Sequence, residues 1–360
     1  METVAPSGSF VLVYNSKDIT KDITKNLISV SFSDKTEKES DELDITVEDV
    51  AGNWKDAWYP QKGDLVTLQY GYKNSGLVTA GTFQVDECGA SGPPDVFSIR
   101  GLAAGITKEM RTRTSKGYEK QSLRQIAGTI ASKHGMTVTG SIDDVTFTRV
   151  TQNRETDLGF LRRISEDYGH VFSVRDNQLV FSQMYELEKG EAVVSIDRTD
   201  LKDYDFKDKT SSTFKGAKVK YKEPKTGKVV EATLDSNVNA EGQEITDTTT
   251  EDTLEIRAKA ENTKQAELQA KAGLYRSNSI QKEGHITVIG NPLLVAGNNI
   301  EVTGMGEFSG KYHIISSTHT FDKGAGYTTS IEIKLVGYID KVKNKSTRVR
   351  KPNFHYEVIN

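Results

Sequence analysis

Apolar and polar residues alternate with a period of two through most of the first hundred positions. Phe10-Val11-Leu12-Val13-Tyr14 reads as a strand, closed by the turn-forming cluster Asn15-Ser16-Lys17-Asp18. Ile28, Val30 and Phe32 alternate with Leu27, Ser29 and Ser31. After the acidic, polar link SDKTEKESDE, Leu43, Ile45 and Val47 alternate with Asp44, Thr46 and Glu48, the pattern of a strand with one buried and one wetted face. Further strands are expected over 64–72, 77–85 and 96–101, with Gly92-Pro93-Pro94-Asp95 as a firm break. Short strands at this spacing, without helical periodicity, predict a small barrel or sandwich.

Near Ala103 the period changes. Leu123, Ile126, Ala127, Ile130 and Ala131 follow helical spacing, with Ser122 placed to cap the start and His134-Gly135 to end it. Short strands are expected over 136–138 and 145–147. The densest unit is Arg154 to Gln183. Leu158, Leu161, Ile164 and Tyr168 form one apolar helix face, Thr156 can cap it, and Gly169 stands where a left-handed residue is wanted. A hairpin then turns at Asp176-Asn177 and returns through Leu179-Val180-Phe181.

From about Glu191 the two-residue period resumes. Ala217 to Tyr221 and Val229 to Leu234 read as a hairpin, and residues 235–253 as a long mobile loop. Asn262 with Gln265 has the pattern of a capping box opening an alanine-rich helix that runs to Leu274. Strands follow over 285–289, 299–303, 311–320 and 327–336. In the last, Thr328, Ser330, Glu332 and Lys334 form the polar row. After Asp340 the basic run KVKNKSTRVRK and the end NFHYEVIN read as an extended tail that orders on a partner.

The expected fold class is therefore mainly β with an α+β insertion. Two barrel-like β domains, 1–105 and 186–340, flank a small α/β module over 106–185, and an extended basic tail covers 341–360. The two β regions share scale and turn-rich texture, which leaves a distant duplication open.

Composition narrows the function. The chain has 360 residues, 35% hydrophobic and 27% charged, with a formal net charge of −4. That size suits two or three domains, and that charge gives no electrostatic argument for nucleic acid. Cys88 is the sole cysteine, which rules out an intrachain disulfide and a cysteine zinc site. No secretory signal and no apolar run of about 18 residues is visible. A protein of this kind working outside a cell is expected to leave by lysis or dedicated assembly.

Candidate chemistry is sparse. His134 and His170 each adjoin a glycine at a helix end, where they can meet the last carbonyls. His313 and His319 are expected on one strand face about 20 Å apart, too far for one metal, and His285 has no nearby partner in sequence. Gly304-Met305-Gly306-Glu307-Phe308-Ser309-Gly310 has the wrong spacing for a phosphate loop and precedes a strand, so it reads as a hairpin turn. The acidic pairs Asp41-Glu42, Asp143-Asp144 and Glu166-Asp167 read as solvated surface, and Ser7-Gly8-Ser9 does not make a nucleophile elbow. Trp54, Trp58 and Tyr59 form the densest aromatic group, either a ligand platform or a loop anchored on the core. Arg111, Arg113 and Lys116 make a basic strip. No catalytic, cofactor-binding or metal-binding residue is assigned, no cofactor is implied, and an interaction protein is expected.

Four ordered stretches resemble the phage late-control D proteins, the baseplate hubs of contractile tails, which are similar to the N-terminal hub region of the type VI secretion spike protein. They are 40–49 with Trp58-Tyr59-Pro60-Gln61-Lys62-Gly63-Asp64; 81–87 with Gly92-Pro93-Pro94-Asp95; Glu155-Thr156-Asp157 with 160–164 and 179–181; and Gly290-Asn291-Pro292 to Gly304 with Gly310-Lys311-Tyr312 and Ser317-Thr318-His319. The resemblance implies a non-enzymatic homotrimer. Its paired β domains would form a pseudo-sixfold ring around a central channel, adapting a sixfold tail tube to a threefold spike. It implies tail tube and spike proteins as partners, with tape-measure and baseplate wedge proteins as further candidates. It implies no nucleic-acid motif and no stable membrane insertion. The expected place is the tail baseplate of a virion or tailocin, assembled in the bacterial cytoplasm. The sequence stops at Asn360 without a lysozyme-like segment, so the spike is expected as a separate chain. Two other readings are a tail-associated peptidoglycan binder or hydrolase using 106–185, and a carbohydrate binder centred on Trp54, Trp58 and Tyr59.

Overall fold

The structure, a computed structural model, describes residues 8–35, 40–104, 110, 112–175, 177–209, 213–223, 226–234, 252–257, 260–338 and 354–359. The first region supplies seven strands: β1 (Gly8–Tyr14), β2 (Lys17–Asp18), β3 (Leu27–Lys35), β4 (Glu42–Glu48), β5 (Leu65–Tyr72), β6 (Gly76–Ser91) and β7 (Val96–Ala103). One short helix, α1 (Thr20–Thr24), lies between β2 and β3. The expected alternation is observed: Val30, Phe32, Leu43, Ile45, Val47, Leu68, Phe83, Phe97 and Ile99 point into one core.

The inserted module contains β8 (Thr114–Ser122), α2 (Leu123–Lys133), β9 (Thr137–Gly140), β10 (Thr146–Glu155), α3 (Asp157–Glu166), β11 (His170–Arg175), β12 (Gln178–Gln183) and α4 (Met184–Lys189). Helix α2 begins in a full capping box. The Ser122 hydroxyl accepts from the Gln125 N–H at 3.2 Å, and the Gln125 side chain accepts from the Ser122 N–H at 2.8 Å. Its buried residues are Leu123, Ile126, Ala127, Ile130 and Ala131, as the spacing predicts. Thr156 caps α3, accepting from the Gly159 N–H at 3.0 Å. The buried face of α3 runs through Asp157, Phe160, Leu161 and Ile164, so Phe160 takes the central place and Leu158 is only half-buried. Strand β9 lies parallel to β12, which pairs with β11. At Gly140, with φ +90°, a Cβ would meet the Phe181 carbonyl oxygen at 1.9 Å, so the parallel pairing requires glycine there. Strands β8 and β10 form a separate two-stranded ribbon. The segment TSKGYEKQS of β8 has no apolar alternation, and sequence pattern gives no sign of it.

The second β region contributes six more strands to the first sheet: β13 (Ala192–Asp197), β14 (Leu201–Asp208), β18 (Lys282–Ile289), β19 (Asn299–Thr303), β20 (Gly310–Asp322) and β21 (Gly326–Tyr338). Between β14 and β18 the chain builds a second α/β unit from β15 (Gly216–Lys222), β16 (Val229–Leu234), β17 (Thr253–Arg257) and α5 (Thr263–Asn278), completed by the C-terminal β22 (Phe354–Ile359). This corrects the picture of residues 186–340 as one barrel-like domain. Ala266, Ala270 and Leu274 of α5 close a core of their own with Ala217, Val219 and Ala232, because small residues on both surfaces allow helix and sheet to approach closely. Asn262 caps α5, accepting from the Gln265 N–H at 2.9 Å. Gln265 does not complete the expected box. Its amide donates to the Thr146 carbonyl at 2.7 Å and accepts from the Glu261 N–H, tying α5 to the module.

The tail also differs from expectation. Residues 354–359 pair antiparallel with β16, Phe354 opposite Leu234 and Ile359 opposite Val229. A backbone able to complete an open sheet edge of its own chain gains six residues of ladder by doing so. Residues 341–353, most of the expected mobile loop (235–251) and Asp176 of the expected turn lie outside the described residues.

The two β regions are not separate sheets. One 13-stranded sheet runs in the order β14-β18-β21-β20-β3-β4-β7-β6-β5-β1-β2, with β19 on β20 and β13 on β19. The join is β20 on β3, Ser316 opposite Lys35 through Asp322 opposite Ser29. Both cores lie on one side of this sheet, and β20 changes its sequence phase between them. A bulge lies between Ile314 and Ser316. Before it, Tyr312 and Ile314 enter the second core with Ile286, Ile300, Ile331 and Ile333. After it, Ser317, His319 and Phe321 point inward, Phe321 into the first core. One extra residue moves the inward-facing positions of β20 from even to odd numbers, while its partner β21 keeps one phase through both cores. It also overturns the expectation that His313 and His319 share a face.

Candidate functional site

The bulged join gathers a buried polar cluster. His319 is fully buried. Its Nδ1 lies 3.0 Å from the Tyr327 hydroxyl and 3.1 Å from the Thr329 hydroxyl, and its Nε2 lies 3.1 Å from the Ser317 hydroxyl. The cluster pins the loop 290–296. Tyr72 donates to the Gly290 carbonyl at 2.6 Å, Thr329 accepts from the Asn291 N–H at 2.9 Å, Ser317 donates to the Leu294 carbonyl, and the buried Asp34 accepts from the Ala296 N–H at 3.0 Å. Rings wrap it: Tyr327 stacks on Phe321 at 4.2 Å and Phe32 on His319 at 6.1 Å. At Gly290 a Cβ would stand 2.1 Å from the Tyr327 ring. Burial pushes the His319 imidazole down to about 4 and, with the nearby Asp34 charge acting on Tyr70, the Tyr70 and Tyr327 phenols upward, so the imidazole and both phenols are neutral at neutral pH. Ser317 and His319 have the contact distance of a nucleophile–base pair. Both are fully buried, and the hydroxyl is committed to a backbone carbonyl, so the pair is sealed from any substrate.

A second cluster fastens the module's end to the second core. Glu188 of α4 and Lys334 of β21 are both nearly inaccessible and lie 2.9 Å apart. The Asn299 amide donates to the carbonyls of Leu187 at 2.9 Å and Gly190 at 2.8 Å, satisfying the last turn of α4. Its carbonyl faces the His313 Nδ1 at 2.8 Å. Burial, with the charges of Lys334 and Lys311, pushes His313 down to about 3. Lys334 also lies over the Tyr275 ring of α5, 5.6 Å from its centre. By alternation Lys334 belongs to the polar row. The helices α4 and α5 cover it.

A third cluster joins α2 to α3. The buried Asp157 carboxylate receives Lys133 at 2.6 Å, His134 at 2.7 Å and Gln152 at 2.9 Å. Burial works against its charge, but these hydrogen bonds more than offset it and hold the carboxyl below its usual range. His134 therefore meets a carboxylate on the next helix. His170, fully buried, accepts from the Asp143 N–H at 3.0 Å. His134 does not take up the expected role at its own helix end, while His170 also meets the backbone at Tyr168, just past the end of α3.

These groups predict a sign for pH dependence. His313 and His319 have folded values below the ordinary 6.5 of an imidazole. Their contribution is complete above that value and is lost as pH falls, because the unfolded chain takes up protons first. Stability is expected to decline from about pH 6.5 to about pH 4, by up to about 1.4 kcal/mol per pH unit for each histidine. Urea titrations across that range check it, and His319→Gln should flatten the slope.

The other sequence candidates are dispersed. Trp54 packs on Phe97 at 6.1 Å and is half-buried, while Trp58 and Tyr59 are exposed, so the aromatic group is a loop anchored on the first core. Gly304 and Gly306 adopt positive φ in the connection from β19 to β20. His285 is exposed on β18. Cys88 is half-buried, and burial raises its thiol. Lys116 lies over the Tyr118 ring, Arg113 is exposed, and Arg111 is outside the described residues. Glu42 pairs with Arg100 at 2.6 Å, while Asp143 accepts from Gln183. Burial raises the Asp167 carboxyl against the pull of Arg276 and Arg163. Asp167 lines a groove of about 890 Å³ between the module and the second α/β unit. Among the described residues, no group of three or more metal-ligating side chains is assembled, and no helix is long and apolar enough to cross a membrane. Asn299, Glu188 and Asp157, which organise the clusters, carry no sequence signal beyond the position of Asp157 in the first turn of α3.

Two β cores in one continuous sheet, interrupted by two α/β units, make a fold that solved phage and prophage tail proteins share. The 43 kDa tail protein of prophage MuSo2 from Shewanella oneidensis has this fold. It matches with a TM-score of 0.69 at 17% identity, over 91% of this chain and 98% of that one. The chain belongs to the phage tail baseplate hub (GPD) family, whose model matches residues 96–325. It is similar to the probable baseplate hub proteins of Escherichia phage 186 (31% identical over 181 residues, 50% of this chain and 45% of that one) and Escherichia phage P2 (30% over 188 residues, 52% and 46%). The matched segments span about half the length of these curated relatives.

Proposed function

We propose that the chain forms a homotrimeric ring with a central channel, adapting a sixfold tail tube to a threefold spike in the baseplate of a contractile phage tail or tailocin. The observation that carries this reading is the pair of β cores joined through β20 and β3. The first region supplies seven strands and the second six, with β20 and β21 reaching into the first core, and each set reads as a barrel-like domain. Three chains bearing two such cores present six comparable surfaces around a threefold axis, which is what a symmetry-matching adaptor requires. The partners are two further copies of the chain, the tail tube and a spike protein, with tape-measure and baseplate wedge proteins as further neighbours. The role is structural rather than catalytic, in keeping with the sealed Ser317–His319 pair. Assembly takes place in the bacterial cytoplasm. Light scattering on the purified chain tests the reading: a mass three times that of the chain is expected, and a strict monomer at high concentration contradicts it.

A further inference from the structure

Where β20 joins β3, the face of the sheet turned away from both cores is built of hydroxyls. One cross-strand row runs Thr287, Ser330, Thr318, Ser33 over β18, β21, β20 and β3. The next runs Thr328, Thr320, Ser31, with the exposed Ile289 of β18 at its outer end opposite Thr328. Neighbours in these rows bond each other: Thr287 to Ser330 at 2.8 Å, Thr318 to Ser33 at 3.0 Å, and Thr320 to Ser31 at 3.2 Å. All are half-buried, as expected of short side chains on a flat, open sheet surface. The rows continue onto β4 at Glu42 and Asp44, with Arg100 of β7 paired to Glu42.

This surface is unlike either common kind of binding face. The centre of a protein interface is rich in aromatic side chains, Met and Arg. A face that holds nucleic acid is basic. The hydroxyl rows contain no aromatic, Met or basic side chain, Arg100 at their edge is held by Glu42, and their polar groups bond one another rather than being held ready for a partner. The flanking charges are paired with one another, Glu42 with Arg100 and Lys35, so they hold no net basic patch for a polyanion. Such a face suits a wall in contact with water, past which a long chain can move without being retained.

We propose that this hydroxyl face lines the lumen of the trimeric ring. The assignment rests on the trimer reading and names which surface of each chain faces the axis. It places Ser31, Ser33, Thr318 and Thr320 on the lumen wall, opposite the same residues of the other two copies across water.

Cysteine accessibility tests it. Ser31→Cys and, separately, Thr318→Cys are made in a Cys88→Ser background, and the oligomeric state of each is first read by light scattering. Each trimer is then treated with a small soluble maleimide and with maleimide immobilised on agarose beads. The expected result is labelling by the soluble reagent and loss of capture by the beads, with capture restored when the trimer is dissociated by urea. Bead capture of the intact trimer would place the face on the outside and overturn the proposal. Protection from both reagents would place it in a subunit interface and also overturn it. Absence of a trimer in both variants and in the parent protein would instead contradict the trimer reading, and the lumen assignment would fall with it.

Discussion

Lys334→Met is expected to lower stability by about 3–5 kcal/mol, the largest loss for any single change at the module's attachment to the second core. Lys334 and Glu188 are both almost inaccessible to water and lie 2.9 Å apart. Removing the ammonium leaves a carboxylate buried with its charge uncompensated, and that penalty exceeds the value of the pair itself. The double change Lys334→Met with Glu188→Leu removes both charges and should recover most of the loss. Urea unfolding of the two single variants and the double variant measures the coupling. Hydrogen exchange over α4 should rise in Lys334→Met, because the helix loses its anchor there while the Asn299 bonds to its last carbonyls remain. Equal destabilisation in the single and double variants would show that the pair does not hold the two units together.

The second large effect is expected at Tyr327. Its ring stacks on Phe321 at 4.2 Å, lies under Gly290 and Gly8, and carries the hydroxyl that meets His319. Tyr327→Ala removes a large buried ring at the place where both cores share strands, and should cost about 3–5 kcal/mol. Tyr327→Phe keeps the ring and removes only the hydroxyl. Thr329 still reaches the His319 Nδ1 at 3.1 Å, so that change should cost only about 1 kcal/mol. The alanine variant should raise hydrogen exchange in β5 of the first core and β18 of the second together, because β20 and β21 belong to both. A rise confined to β5 would mean that the cores unfold independently despite their common sheet.

Much of the β architecture is legible in sequence because each strand carries its own period. Val30 and Phe32, Ile45 and Val47, and Ile331 and Ile333 all mark their buried faces without help from elsewhere. The same holds for α2, whose five apolar positions and Ser122 cap are all local. What is not legible depends on partners far along the chain. The bulge at Ile314–Ser316 leaves no mark in composition, yet it decides that His313 and His319 serve different surroundings. Lys334 stands in a polar row by alternation, and only the arrival of α4 and α5 buries it. Gln265 has the spacing of a capping box, but the Thr146 carbonyl competes for its amide. The second α/β unit is hidden because β15 and β16 look like strands of the neighbouring barrel, and its last strand comes from residues 354–359. The resemblance to tail hubs was readable because its motifs occur in order along the chain. The clusters that hold the units together were not: two of them draw on segments more than a hundred residues apart, as with Asn299 and Leu187, and the third brings Lys133 and His134 of one helix to Asp157 of the next.

Electron microscopy of the purified assembly tests the central claim most directly. Class averages viewed down the axis should show a ring with a central opening, threefold symmetry, and six similar lobes from the paired β cores of three chains. A solid particle without an opening, or a ring whose lobes show six identical chains, would contradict it.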